Sequence, residues 1–145
     1  MTNYPAPIVD RKLRFALVGC GRISANHFEA LRRHYDTTEL VSVCDVDRSA
    51  LDKAVAQTGT RGFHALGDLL ANSTPDVVVL ATPSGLHPEQ AIQVAESGRH
   101  VMTEKPMATR WADGKRMVAA CDAAGVRLFV VKQNRRNATL ASAID

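Results

Sequence analysis

Cysteine is scarce in this chain: only Cys20, Cys44 and Cys121 occur among 145 residues. They are widely spaced and odd in number, and none forms a C-x-x-C pair or a cysteine and histidine metal spacing. No metal site is therefore expected, and a reducing cytoplasm is the simplest setting. Each thiol reads as a small packing group, Cys20 within a tight turn, rather than as a nucleophile. Long apolar runs are missing as well, so no segment approaches the length of a membrane span. The first dozen residues, with Pro5, Pro7 and Asp10, hold no apolar core of signal-peptide length. A soluble, cytoplasmic protein with no membrane partner is expected. Charge of one sign is lacking too: 18 Lys and Arg stand against 15 Asp and Glu, and the formal excess of +3 is spread along the chain. No nucleic-acid surface follows from it. Only Lys132, Arg135 and Arg136 cluster, and no repeat or low-complexity segment interrupts the sequence.

What is present begins with Phe15-Ala16-Leu17-Val18-Gly19-Cys20-Gly21-Arg22-Ile23-Ser24. A buried-strand pattern runs into a glycine turn and then into a helix start, the order that cradles a dinucleotide pyrophosphate. Gly19 suits the tight turn and Gly21 lets backbone approach the phosphates. The helix beginning near Arg22 and Ile23 offers free N–H groups and a positive dipole end. Ser24 stands where the pattern has its third glycine, and a small residue there still permits close packing of helix on strand. Downstream, Leu40-Val41-Ser42-Val43-Cys44 ends in Asp45, at the distance where such folds place the carboxylate that accepts hydrogen bonds from the adenosine ribose. That carboxylate repels a 2′-phosphate, so NAD is expected over NADP. Arg48, one turn into the next helix, could reach such a phosphate or simply be solvated.

Strands and helices alternate along the rest. Strands are expected at 13–18, 40–45, 61–63, 76–81, 100–103 and 126–131, and helices at 23–33, 48–57, 66–71, 88–97 and 111–124. Val77-Val78-Val79-Leu80 reads as a strand buried on both faces. This alternation implies an α/β fold, a doubly wound parallel sheet with right-handed crossovers: a Rossmann dinucleotide-binding domain. With 46% hydrophobic residues, the chain has the means to bury roughly two-thirds of its unfolded surface as one domain. We expect a short extension over 1–12, the NAD-binding domain over 13–132 and a linker start over 133–145.

In such a fold ligands sit beyond the carboxyl ends of the strands. The residues there are Gly19 to Ile23, Asp45, Thr82 to Ser84, Glu104-Lys105-Pro106 and Gln133-Asn134, with His87 just inside a helix. Thr82 and Pro83 are placed to line a cofactor. His87 either faces the same cleft or is a surface histidine at a helix start.

Gly19-Cys20-Gly21-Arg22-Ile23-Ser24, Ala81-Thr82-Pro83 with His87, and above all Glu104-Lys105-Pro106 resemble the amino-terminal domain of the glucose-fructose oxidoreductase and inositol dehydrogenase (Gfo/Idh/MocA) family. The resemblance runs from about Leu13 to Leu140. Over Ala81 to Pro88 and Lys132 to Asn137 it is similar to members acting on nucleotide-sugar uronates. It implies NAD-dependent oxidation of a secondary alcohol, such as the 3-hydroxyl of UDP-N-acetylglucosaminuronate, in polysaccharide biosynthesis. Lys105 is implied as the catalytic acid or base, or as the cation stabilising the alkoxide, its pKa lowered by burial and a nearby nicotinamide. Pro106 aims Lys105, through a bond often cis in the family. Glu104 orients the nicotinamide ribose or Lys105, or simply starts the next helix.

Gly19, Gly21, Arg22, Ile23, Asp45, Thr82, Pro83, His87, Glu104, Lys105 and Gln133 are the implied cofactor contacts. Lys105, Asn134, Arg135 and Arg136 are the implied substrate contacts, although a solvated basic turn explains the arginines equally well. Trp111 either covers the cofactor mouth or packs on the sheet. Family members carry a second, α+β domain that this sequence lacks, so a truncated form is expected, with a homo-oligomer formed through the uncovered face. Two activities stay open: a sugar dehydrogenase or its cofactor half, and an NAD-binding module without turnover. A methyltransferase with a related glycine turn is a remote third, since Glu104-Lys105-Pro106 has no role in one.

Overall fold

The computed structural model describes residues 4–133. Six strands form one parallel sheet: β1 (Leu13–Val18), β2 (Thr38–Cys44), β3 (Arg61–Phe63), β4 (Val77–Leu80), β5 (His100–Thr103) and β6 (Leu128–Val130). Between them run α1 (Ser24–Arg33), α2 (Arg48–Thr58), α3 (Leu66–Asn72), α4 (His87–Glu96) and α5 (Trp111–Ala124), with a 3₁₀ turn over Ser84–Leu86 before α4. The strand order is β3-β2-β1-β4-β5-β6. The chain reverses direction across the sheet between β1 and β4, and that switch point opens a crevice above the strand ends.

Strand residues alternate between two cores. Ala16, Val18, Val78, Leu80 and Val101 face the layer that includes Leu69 of α3, Ala91 and Val94 of α4, and Met117 and Cys121 of α5. Leu17, Val43 and Val79 face Phe28 of α1 and Leu51 and Ala54 of α2. The continuous apolar reading of β4 is explained by this double coverage, since all four of its residues are buried.

Most boundaries fall within one residue of the sequence expectation, and the differences at β2, β6 and the start of α4 have local reasons. β2 begins at Thr38 because Leu13, Arg14 and Phe15 pair with Thr38, Glu39 and Leu40 before the ladder shifts register. β6 is short because the Val126 N–H is spent closing α5 on the Cys121 carbonyl at 3.0 Å. α4 starts one residue early, at His87, with Pro88 in its first turn where a missing N–H costs nothing.

The segment before β1 is tied to the far end of the sheet from the crevice. Arg11 donates two hydrogen bonds to Asp76, at 2.7 and 2.8 Å, and Asp76 also accepts the Arg14 N–H at 2.8 Å. The Arg11 guanidinium holds the Asp76 carboxyl below its usual range. Arg127 stacks over the Tyr4 ring, 4.2 Å from its centroid.

Candidate functional site

The glycine turn is squeezed between two strand ends. Gly19 donates to the Cys44 carbonyl at 2.8 Å and has φ +95°, a backbone conformation that disfavours side chains. A Cβ there would lie 2.7 Å from the carbonyl carbon and oxygen of Ala81 and 2.8 Å from the Thr82 nitrogen. Gly21 is the opposite case, since a Cβ built there meets nothing within 4 Å. Its open side leaves the backbone accessible to a ligand. Ser24 is buried, and its hydroxyl donates to the Gly21 carbonyl at 2.6 Å. The residue that replaces the third glycine thus braces the turn. Arg22 and Ile23 are exposed, and no side chain caps the start of α1. The free N–H groups and dipole end therefore remain available to an anion.

Asp45 is fixed at the end of β2. One carboxylate oxygen accepts the Cys20 N–H at 2.7 Å and the other accepts the Asp47 N–H at 2.8 Å. A carboxylate offers about four acceptor positions, so two remain open to a ligand's hydroxyl groups. Burial, and next the Asp45 charge, push the Cys20 thiol up to about 11; burial, and next the neighbouring Cys20, push Cys44 up to about 12. Both thiols are protonated at neutral pH and are poor nucleophiles.

Beyond β4, the Thr82 hydroxyl donates to the Gln90 side chain, and Pro83 is exposed at the rim. His87 is placed differently from either expectation. It is only 1% exposed, and its ring nitrogens lie 2.9 Å from the Thr82 carbonyl and 3.1 Å from the Pro106 carbonyl. It therefore links the loop after β4 to the loop after β5 and is neither a surface histidine nor exposed to the crevice. His87→Ala would remove the buried ring that lies between the Thr82 and Pro106 carbonyls and leave a cavity in its place. A loss of about 2–4 kcal/mol in urea unfolding is expected, and an unchanged midpoint would show that the bridge carries no stability.

The β5 end carries Glu104, Lys105 and Pro106, joined by a cis Lys105–Pro106 bond. The Glu104 N–H continues the sheet ladder to the Leu80 carbonyl at 2.9 Å. This sets Glu104 beside the β4 exit. Lys105 is exposed, so the burial expected around its amine is not supplied by the described residues. Trp111 opens α5 with 84% of its surface exposed, which rules out packing on the sheet. Gln133 is exposed just past β6, while Asn134, Arg135 and Arg136 lie outside the described residues.

One residue of the site went unread. His27, in α1, places Nε2 2.7 Å from a Glu104 carboxylate oxygen. The available signal was spacing, because Ser24, His27, Phe28 and Leu31 follow the i, i+3, i+4, i+7 rhythm of an inward helix face. A polar ring on such a face needs a partner.

Among the described residues, no cluster of three or more His, Cys, Asp or Glu is placed to hold a metal ion, and no helix is long and apolar enough to cross a membrane. Comparison with known proteins agrees with the geometry. The model of the Gfo/Idh/MocA oxidoreductase family, NAD-binding Rossmann fold, matches residues 13–132. D-apiose dehydrogenase of Paraburkholderia graminis is 36% identical over 121 residues, 83% of this chain and 32% of that protein. The crystal structure of the WlbA dehydrogenase from Bordetella pertussis, in complex with NADH and UDP-GlcNAcA, is similar at 67% identity and a TM-score of 0.92, covering 94% of this chain and 41% of that one. The WlbA dehydrogenase of Chromobacterium violaceum, solved with the same two ligands, gives 63% identity, a TM-score of 0.92, and 94% and 39% coverage. The chain thus spans about two-fifths or less of the length of these relatives. It belongs to the Gfo/Idh/MocA family of oxidoreductases, through that family's NAD-binding Rossmann fold.

Proposed function

We propose that this chain is the cofactor-binding part of an NAD-dependent dehydrogenase that oxidises the 3-hydroxyl of UDP-N-acetylglucosaminuronate or a closely similar nucleotide sugar. The observation that carries the reading is the placement of Glu104-Lys105-Pro106 one strand from the Gly19–Gly21 turn, across the switch point. The likeness to two WlbA dehydrogenases solved with NADH and UDP-GlcNAcA supports the substrate class.

The glycine turn and the uncapped start of α1 receive a pyrophosphate, and the remaining acceptor positions of Asp45 take the adenosine ribose hydroxyls. Thr82 and Pro83 line the wall between the two halves of the crevice. NAD, when bound, supplies the hydride acceptor for an alcohol oxidation. Lys105 then holds or removes the hydroxyl proton at Nζ, and Glu104 orients the ribose nearest it. Gln133 follows β6, and Asn134, Arg135 and Arg136, outside the described residues, complete the proposed substrate contacts, since arginines suit diphosphate and uronate oxygens. The setting is the cytoplasm. Exposed Trp111 and Val118 on α5 support self-association into a homo-oligomer.

A second reading is an NAD-binding module without turnover, favoured by the exposure of Lys105, whose amine the described residues leave unburied. Calorimetric titration with NAD and with NADP tests the part common to both readings. NAD is expected to bind at least about tenfold tighter, because the two N–H groups fix the Asp45 carboxylate facing a 2′-phosphate. Equal affinity would remove Asp45 from the ribose, and no binding by a folded chain would sink both readings. Reduction of NAD on adding UDP-N-acetylglucosaminuronate separates the first from the second.

A further inference from the structure

The His27 and Glu104 pair joins two parts of the site that are 77 residues apart in sequence. His27 lies in the first turn of α1, the helix whose uncapped amino end receives the pyrophosphate in the proposed function. Glu104 precedes Lys105. Their side chains are 15% and 14% exposed, and the contact is 2.7 Å. An ionised carboxylate only accepts, so Nε2 of His27 carries the proton and the Glu104 oxygen receives it. The other Glu104 oxygen has only a long contact, 3.4 Å, from the Lys105 N–H. Among the described residues no lysine or arginine pairs with Glu104, so His27 is the group that fixes this carboxylate.

A pair serving stability alone would gain little from this chemistry, since apolar side chains of similar volume often do as well where ion pairs are shielded. The location argues for more. Glu104 stands at the carboxyl end of β5, on the crevice side, and its second oxygen is the less committed one.

We infer that His27 is a positioning residue: by holding one oxygen of Glu104 it aims the other, and the adjoining Lys105 backbone, at the nicotinamide half of the cofactor. This rests on the proposal that Glu104 and Lys105 form that half of an NAD site. His27 touches neither cofactor nor substrate in this scheme and acts through Glu104.

The test is calorimetric titration of the folded chain with NADH and, separately, with ADP, which keeps the adenosine and pyrophosphate but lacks the distal ribose and nicotinamide. His27→Leu and Glu104→Gln are each expected to weaken NADH binding about tenfold, the worth of one charge-assisted hydrogen bond, while ADP affinity stays within about twofold. His27→Gln, which returns an N–H near the Nε2 position, is expected to recover most of the loss. The double variant His27→Leu with Glu104→Gln is expected to bind NADH no worse than the weaker single variant, because the two act as one unit.

Several results would overturn the inference: unchanged NADH affinity in His27→Leu, equal losses for NADH and ADP, or losses that multiply in the double variant. Should His27→Leu fail to fold, Glu104→Gln and His27→Gln decide the matter on the same two ligands. A wild-type chain that binds ADP but not NADH overturns the proposed nicotinamide site itself. Wild-type binding with an indifferent His27 overturns the positioning role alone.

Discussion

Gly19→Ala is expected to destabilise the fold by roughly 2–5 kcal/mol and to abolish measurable NAD binding, the sum of a left-handed backbone penalty and an overpacked contact. The contact is with backbone, at 2.7–2.8 Å from Ala81 and Thr82, and no side chain there can swing aside. β1 and β4 would have to separate at the switch point. Gly21→Ala, two residues on, is expected to change stability by no more than about 0.5 kcal/mol, because its methyl group meets open space. Its effect falls on the ligand, where the added carbon occupies the approach of the pyrophosphate, with NAD affinity reduced on the order of a hundredfold. Urea unfolding followed by far-ultraviolet circular dichroism, with NAD titration of each variant, separates the two. The single tryptophan, exposed at the start of α5, is a poor reporter of core unfolding. A Gly21→Ala chain that binds NAD as well as the parent would show that the pyrophosphate does not pass this turn.

Lys105→Met carries the other large expected effect. Because the chain spans about 41% of the Bordetella pertussis WlbA chain, turnover is best read after joining residues 1–132 to the remainder of that enzyme. In an active fusion, kcat is expected to fall by about 10²–10⁴, the usual worth of a positioned proton-transfer group, with NADH affinity held within about threefold. Methionine keeps the length of the side chain and removes the amine. A matched loss of NADH affinity would make Lys105 a cofactor contact, and an unchanged kcat would take it out of the chemistry.

The sheet was readable because its signals are local. Val77 to Leu80 is too apolar and too short for anything but a strand buried on both faces, and Gly19-Cys20-Gly21 follows a strand and precedes a helix. The chain order of strand, turn, helix, strand and acid then placed Asp45 correctly at the end of β2. What escaped depends on distant parts of the chain. His87 shares its ring between carbonyls 5 and 19 residues away, and nothing in its own neighbourhood marks it as buried. His27 finds its partner 77 residues on, so only its inward helical position hinted at a role. The brace from Ser24 to Gly21 is local, yet a missing glycine draws attention to what is absent more than to the hydroxyl that stands there.

The grip of Asp45 on two backbone N–H groups bears on how coenzyme preference is altered, whether in the laboratory or by drift. The usual route to a phosphorylated coenzyme removes the acid after β2 and adds a cation nearby. Here that acid is also the clasp holding the Cys20 and Asp47 peptides, so its removal loosens the glycine turn before any new phosphate is recognised. On the proposed reading, preference and architecture rest on one side chain. A redesign that keeps an acceptor at position 45 and introduces its cation at the exposed neighbour Val46 leaves the clasp closed while changing the charge the coenzyme meets.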